Sequence, residues 1–323
     1  MKPLARLILA GLLLASPSAY AEGYPERTVT IVVTSAAGAL TDVLTRAVAQ
    51  QLAQKWNQNV IVENKGGAGY ALATQAVMRA EHDGTTLLAS ETGFYTIQPH
   101  LYDPGRLAYD PERDFIPVAG YGTIPTAMLL NPSVPAKTVA EFLALARKQD
   151  GGITYGTAGI GTALHIAGLE LESLTGVKMT AVHYRGAAPA LNDLIAGHIN
   201  MVTMGPSVAL SAVSAGRLKM LGFGSEKRVP QFPDVPTIAE TVPGFEATVA
   251  FGLFAPTGTP AEILKKINTD VREIVNEPAF QKKYLERYVV QPLPGPMDEF
   301  ADYLKKDSAK WAKVVKDTNL KIE

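Results

Sequence analysis

Val29, Ile31 and Val33 alternate with Thr28, Thr30 and Val32, and this two-residue period predicts a buried strand. The run breaks at Ser35-Ala36-Ala37-Gly38-Ala39, where there is almost no side chain. Leu44, Ala47, Val48, Leu52 and Trp56 then recur at helical spacing, with Thr41 and Asp42 in the first turn. Strand, small-residue loop and helix start repeat along the chain. Asn59 to Glu63 is a second strand, turned by Gly66-Gly67-Ala68-Gly69 into a helix over 70–81, and Thr85 to Ser90 is a third strand. Pro99 to Pro117 reads as loop, and a crossing to a second lobe is placed near Ile124 to Asn131.

The second half follows the same grammar. Thr138 and Glu141 form a capping box for a helix over 139–149. Strands are predicted at 153–155, 179–184, 199–204 and 218–223, and helices from Thr162 through Leu174, over 189–196 and over 207–215. An apolar strand over 247–254 is the return crossing, and the remainder is helical, with Ile263, Ile267, Val271, Ile274 and Val275 on one face. Strands alternating with helices argue for α/β architecture with parallel sheets. Thr34 to Gly38 in the first lobe echoes Gly156 to Gly159 in the second, so each lobe offers a helix end with free amides. Such an end carries about +0.5 of a charge and accepts anions. Ligands of open α/β sheets bind beyond the carboxyl ends of the strands, which places both loops in a cleft between the lobes.

Composition narrows the chemistry. The 323 residues are 47% hydrophobic and 19% charged, with a formal net charge of −1, so there is no basic surplus for nucleic acid. Without cysteine, disulfides, thiolate metal sites and thiol nucleophiles are excluded. Lys2 and Arg6, an apolar run over 7–15 and Ala19-Tyr20-Ala21 make an export signal over 1–21, with a mature chain from Glu22. His82, His100, His165, His183 and His198 form no metal-spaced pair, and no metal or cofactor is expected. Gly159-Ile160-Gly161 lacks the third glycine of a dinucleotide fingerprint, since position 164 is Leu164, but it suits a loop of exposed amides. Asp42 reads either as a first-turn acid favoured by the helix dipole or as a group that fixes the loop or meets a ligand ammonium. His165 reads as a satisfied helix-face histidine or a cleft residue. Arg185 closes a strand before Gly186, and its fork suits either a ligand carboxylate or an internal ion pair.

Several stretches together resemble the Bug family, the TctC-type extracytoplasmic receptors of tripartite tricarboxylate transporters. They are Tyr24-Pro25-Glu26-Arg27, SAAGALTD from Ser35, VENKGGAG from Val62, HDGTTLL from His82 and YDPERDFIPVA from Tyr109. In the second half they are YGTAGIGTALHIAG from Tyr155, HYRGAAPALNDLIAGHI from His183, AGRLKMLGFGSEKR from Ala215 and GLFAPTGTP from Gly252. The resemblance implies a two-lobed type II periplasmic binding fold. It also implies a small carboxylate ligand held at the two loops, and delivery to a transporter with one large and one small membrane subunit. The expected division is 22–124 and 248–323 for the first lobe and 125–247 for the second, with hinges near 124–130 and 247–254. A periplasmic monomer is expected. The candidate ligand set is Ser35, Ala36, Ala37, Gly38, Thr41, Asp42, Tyr70, Ser90, Glu91, Thr157, Ala158, Gly159, Thr162, His165 and Arg185.

The chain departs from the family pattern where ligand choice is decided. Thr34, Ser35 and Ala39 replace a Pro, a Phe and a Gly, Tyr70 replaces a common Gly, and Ala250 an aromatic. Glu91 stands where a neutral residue is usual. A carboxylate sensor that reports to a signalling partner stays open as an alternative to uptake. An exported hydrolase is disfavoured, because no base or nucleophile elbow accompanies the Ser and Thr residues.

Overall fold

Alternation in the first strand buries Val29, Ile31 and Val33 completely, and β1 (Val29–Val33) runs parallel to β2 (Val60–Asn64) and β3 (Thr86–Glu91). The structure, a computed structural model, describes residues 23–103, 105–149 and 152–322. The expected export signal and Glu22 lie outside the described residues. Helix α1 (Leu40–Trp56) lays Leu44, Ala47, Val48, Leu52 and Trp56 against the sheet, all buried in one cluster with β1. Each large side chain so buried contributes roughly 1.5–3 kcal/mol. Helix α2 (Ala71–Met78) connects β2 to β3.

The segment expected to be loop is structured. The single-turn helix α3 (Gly93–Thr96) precedes it, α4 (Gln98–Leu101) runs into it and α5 (Pro111–Asp114) lies within it. The long strand β4 (Phe115–Pro125) then begins, before Pro117 rather than after it. Two prolines and two glycines hide this strand in the sequence, yet each has a place. Pro117 sits beside a register shift against Phe254, where a missing amide is tolerated. A side chain at Gly120 would strike the Leu293 carbonyl oxygen at 2.8 Å, and one at Gly122 the Gln291 carbonyl oxygen at 2.6 Å. Glycine there admits the short edge strand β11 (Gln291–Pro292), which pairs with β4.

After Thr126 the chain continues as β5 (Ala127–Leu130) in a second sheet. That sheet is built from α6 (Val139–Gln149), β6 (Thr154–Thr157), α7 (Ala163–Thr175), β7 (Thr180–His183), α8 (Ala187–Ala196), β8 (Met201–Met204), α9 (Leu210–Ser214) and β9 (Lys219–Phe223). The return strand β10 (Thr248–Pro256) re-enters the first sheet. Helices α10 (Ala261–Asn276), α11 (Pro278–Phe280) and α12 (Met297–Thr318) close the chain around β11. The sheets are ordered β11-β4-β10-β3-β1-β2 and β7-β6-β8-β5-β9. They are mixed, which corrects the expectation of parallel sheets: β10 is antiparallel to β3 and β4, and β5 to β8 and β9. The crossing strands β5 and β10, each entering its sheet from the other one, make only antiparallel pairings.

The two crossings touch. Thr126 donates its amide to the Ala247 carbonyl at 2.9 Å, Gly224 donates to the Thr126 carbonyl at 2.7 Å, and Ala247 donates to the Gly224 carbonyl at 2.7 Å. A Cβ on Gly224 would lie 2.7 Å from the Ala247 oxygen, so a side chain there would part the three segments. No helix among the described residues is long and apolar enough to cross a membrane.

Candidate ligand site

The loop after β1 is fastened from inside the helix it precedes. Gly38 takes φ of +83°, and its amide donates to Asp42 Oδ2 at 2.8 Å. Arg46 Nε and Asn64 Nδ2 donate to Asp42 Oδ1, each at 2.9 Å. Burial works against the Asp42 charge, but the Gly38 amide, Arg46 and Asn64 outweigh it and hold the carboxyl below its ordinary range. Asp42 is therefore spent on the loop. Behind it, Thr34 and the fully buried Ser90 share a hydrogen bond of 2.9 Å between their hydroxyls.

The loop after β6 has the same backbone with different chemistry. Gly161 takes φ of +73°, and its amide donates to His165 Nδ1 at 3.1 Å. Ala39 donates to Ala36 O and Thr162 to Gly159 O, both at 3.3 Å. Ala39 and Thr162 hold the N-cap positions, and Asp42 and His165 each lie three residues further on. The structural match therefore pairs Gly38 with Gly161. The sequence echo had paired Gly38 with Gly159, and that register is corrected. Thr157 corresponds to Thr34, and its Oγ1 lies 2.8 Å from His183 Nδ1 and accepts the Gly159 amide at 3.2 Å. Thr162 stands at the cap but accepts no capping bond, and its hydroxyl donates to Gly159 O at 2.8 Å.

His165 is 4% exposed, stacks on Tyr155 and meets the His183 ring edge-on at 4.8 Å. Burial first, and His183 second, push it down to about 4. Because Nδ1 accepts an amide proton, the neutral ring carries its own proton on Nε2. Charging it would set one N–H against another.

Between the sheets lies a cavity of about 330 Å³. Of the candidate residues, Ser35, Thr41, Tyr70, Glu91, Ala158 and Thr162 line it. Ala36, Ala37 and Gly38 are exposed on the outer side of their loop and do not line it, nor does Gly159. Asp42, Ser90, Thr157 and His165 are buried behind the lining residues. Arg185 is exposed beyond β7, outside the cavity, with no ion-pair or hydrogen-bond partner among the described residues. The Ser35 hydroxyl is buried without a protein partner among the described residues. Amides of the first helical turn have no acceptor within their own helix, and Leu40, Thr41, Ala163 and Leu164 bring two such turns to the cavity wall.

The sequence reading missed a third loop. Met204 at the end of β8, with Gly205, Ser207 and Val208 after it, lines the cavity, as do Ile124, Val249 and Phe251 from the crossing strands. The signal was present, since Gly205-Pro206 directly follows a predicted strand at its carboxyl end. Ala250, where the family pattern has an aromatic, is fully buried and lies outside the lining. Tyr70 fills space instead, in a left-handed conformation with φ of +72°, and its hydroxyl donates to Glu91 Oε1 at 2.6 Å. Burial pushes the Glu91 carboxyl up, and the Tyr70 bond partly offsets it.

Comparison with known proteins places these features. The family described as "Tripartite tricarboxylate transporter family receptor" (TctC) matches residues 44–320. A UPF0065 protein of Bordetella pertussis is 34% identical over 299 residues, covering 90% of each chain. An R. palustris protein solved with adipate is 30% identical with a TM-score of 0.82, covering 92% of this chain and 99% of that one. MatC from Rhodopseudomonas palustris, solved with bound malate, is 31% identical with a TM-score of 0.77, covering 90% of this chain and 100% of that one.

Proposed function

Since the chain belongs to the TctC family of tripartite tricarboxylate transporter receptors, we propose that it captures a small carboxylate in the cleft and delivers it to a tripartite membrane transporter from the periplasm. The family is one of receptors, not enzymes. The observation that carries the ligand class is the matched pair of helix starts on opposite walls of one 330 Å³ cavity. One such end attracts an anion by only about 0.3–1 kcal/mol when exposed. A carboxylate accepts up to about four hydrogen bonds, so the free amides of both ends and the Ser35 hydroxyl can share one carboxylate when the lobes close on it. Ser35, Thr41, Ala158 and Thr162 are the contact residues on this reading. Asp42, Ser90, Thr157 and His165 hold the loops, Gly38 and Gly159 shape them, and Arg185 adds positive potential at the cleft edge that steers anions in. Closure then turns about the Thr126–Ala247 pair, with the lobes dividing at that point. The adipate and malate in the two related structures support a carboxylate over other anions.

The test is a thermal-shift screen against mono-, di- and tricarboxylates, with Ala158→Leu as the control. A ligand at 100 times its dissociation constant stabilises by about 2.7 kcal/mol. The expected result is a clear shift with at least one carboxylate that Ala158→Leu abolishes while remaining folded. A screen in which no carboxylate moves the melting temperature, or in which Ala158→Leu responds like wild type, would reject the reading.

A further inference from the structure

One side chain is out of keeping with a plain anion site. Glu91 ends β3 in the cavity wall, and among the described lining residues it is the sole Asp, Glu, Lys, Arg or His. Its Oε1 accepts the Tyr70 hydroxyl at 2.6 Å. Its Oε2 has no hydrogen-bond partner among the described residues. The arrangement is built at some expense to the backbone, since Tyr70 holds φ of +72°, a conformation costly for a non-glycine residue and characteristic of ligand clamps. Gly93 clears the space, because a Cβ there would come within 3.2 Å of the Tyr70 hydroxyl.

We propose that Glu91, oriented by Tyr70, is a cation subsite, and that the ligand is an amino-carboxylate whose carboxylate meets the two helix starts while its ammonium meets Glu91. This rests on the carboxylate-receptor reading and narrows it. A dicarboxylate would bring its second carboxylate against Glu91 with no cationic side chain in the cavity wall to offset the repulsion. A monocarboxylate would leave Glu91 unpaired in a closed cleft. An ammonium satisfies Oε2 and neutralises the charge. Burial pushes the empty-cleft Glu91 carboxyl up, and an ammonium pulls it down, so binding releases a proton from the fraction still protonated. The titratable side chains facing Glu91 across its two cavities are Tyr70 and Asp307, and Asp307 is paired with Lys310 at 3.1 Å.

The test is titration calorimetry with matched probes: γ-aminobutyrate, butyrate and succinate, then ε-aminohexanoate, hexanoate and adipate. Each is run in two buffers of different ionisation enthalpy on wild type and Glu91→Gln. The glutamine keeps an acceptor for Tyr70, and an unchanged melting temperature verifies the fold. In wild type an amino-carboxylate is expected to bind about ten-fold or more tighter than its matched acids, with buffer-dependent heat from proton release. Glu91→Gln is expected to lose both the preference and the proton. Equal or tighter binding of the mono- or dicarboxylates by wild type, or an unchanged ranking in Glu91→Gln, overturns the subsite and leaves the carboxylate receptor standing. No binding by any probe overturns both.

Discussion

The helix starts of α1 and α7 share a backbone and differ in what fastens it. In the first, Gly38 donates to a carboxylate that Arg46 and Asn64 also hold. In the second, Gly161 donates to a neutral imidazole. A negative group in the first turn cancels part of the roughly half charge at a helix end, so Asp42 blunts α1 while His165 leaves α7 at full strength. Arg46 returns some of that potential, but its side chain is half exposed and screened. The second loop is therefore the stronger anion end. Their surroundings differ as well. Gly38 has open space where a side chain would go, whereas a Cβ on Gly161 would meet Leu101 at 2.4 Å and Ile322 at 2.9 Å. One loop faces outward, and the other is wedged against Leu101 and Ile322. Equal geometry thus hides unequal charge and unequal tolerance.

The charged fastener comes first. Asp42→Ala removes the charged acceptor shared by three donors, and because Arg46 and Gly38 stay within reach of water the loss is about 1.5–3 kcal/mol, whereas His165→Gln keeps an acceptor and costs about 1 kcal/mol. Urea denaturation of both variants measures this, and equal losses would break the contrast. Next comes pH. His165 is pushed down to about 4 in the fold, against about 6.5 unfolded. The unfolded chain therefore binds the extra proton first, and this contribution, up to about 3 kcal/mol, is complete above pH 6.5 and lost as pH falls toward 4. Asp42 is depressed, so its contribution holds above about pH 3.9 and is lost only at lower pH. A stability profile for His165→Gln should be flatter between about pH 6.5 and 4; an unaltered slope would place the titration elsewhere. Last is the glycine exchange. Gly38→Ala meets backbone strain alone, about 1 kcal/mol, while Gly161→Ala adds overpacking for about 2–3 kcal/mol in all. Matching melting temperatures would show that the wedge is soft.

The repeated strand, loop and helix start was legible because hydrophobic period and small residues mark it directly, as at Val29 to Gly38. The register of the echo was not. Matching glycines by identity paired Gly38 with Gly159, but the backbone is set by the N-cap and by an acceptor three residues on, and Asp42 and His165 do not look alike as letters. β4 was hidden because Pro117, Gly120 and Gly122 read as loop residues, although tertiary neighbours demand them. The mixed sheets could not be read either, since strand direction depends on how the crossings return. Glu91 was visible as an oddity of the family pattern, but its pairing with Tyr70 needed the left-handed turn at residue 70.

The contact of Thr126 with Ala247 has a consequence for how the chain came together and how it can be cut. Seen from the first sheet, residues 127–246 are a single loop of roughly 120 residues, and the entropy of closing a loop grows only as the logarithm of its length. Its two ends are already tied by a backbone hydrogen bond of 2.9 Å and by the Thr126 hydroxyl on the same carbonyl at 2.9 Å. To the sheet that carries it, so long an insertion costs only about 3 kcal/mol more to close than a tight hairpin. A short turn in place of the second sheet would leave the strands β4 and β10 paired as they are, with half of the cleft removed and the other half open to inspection.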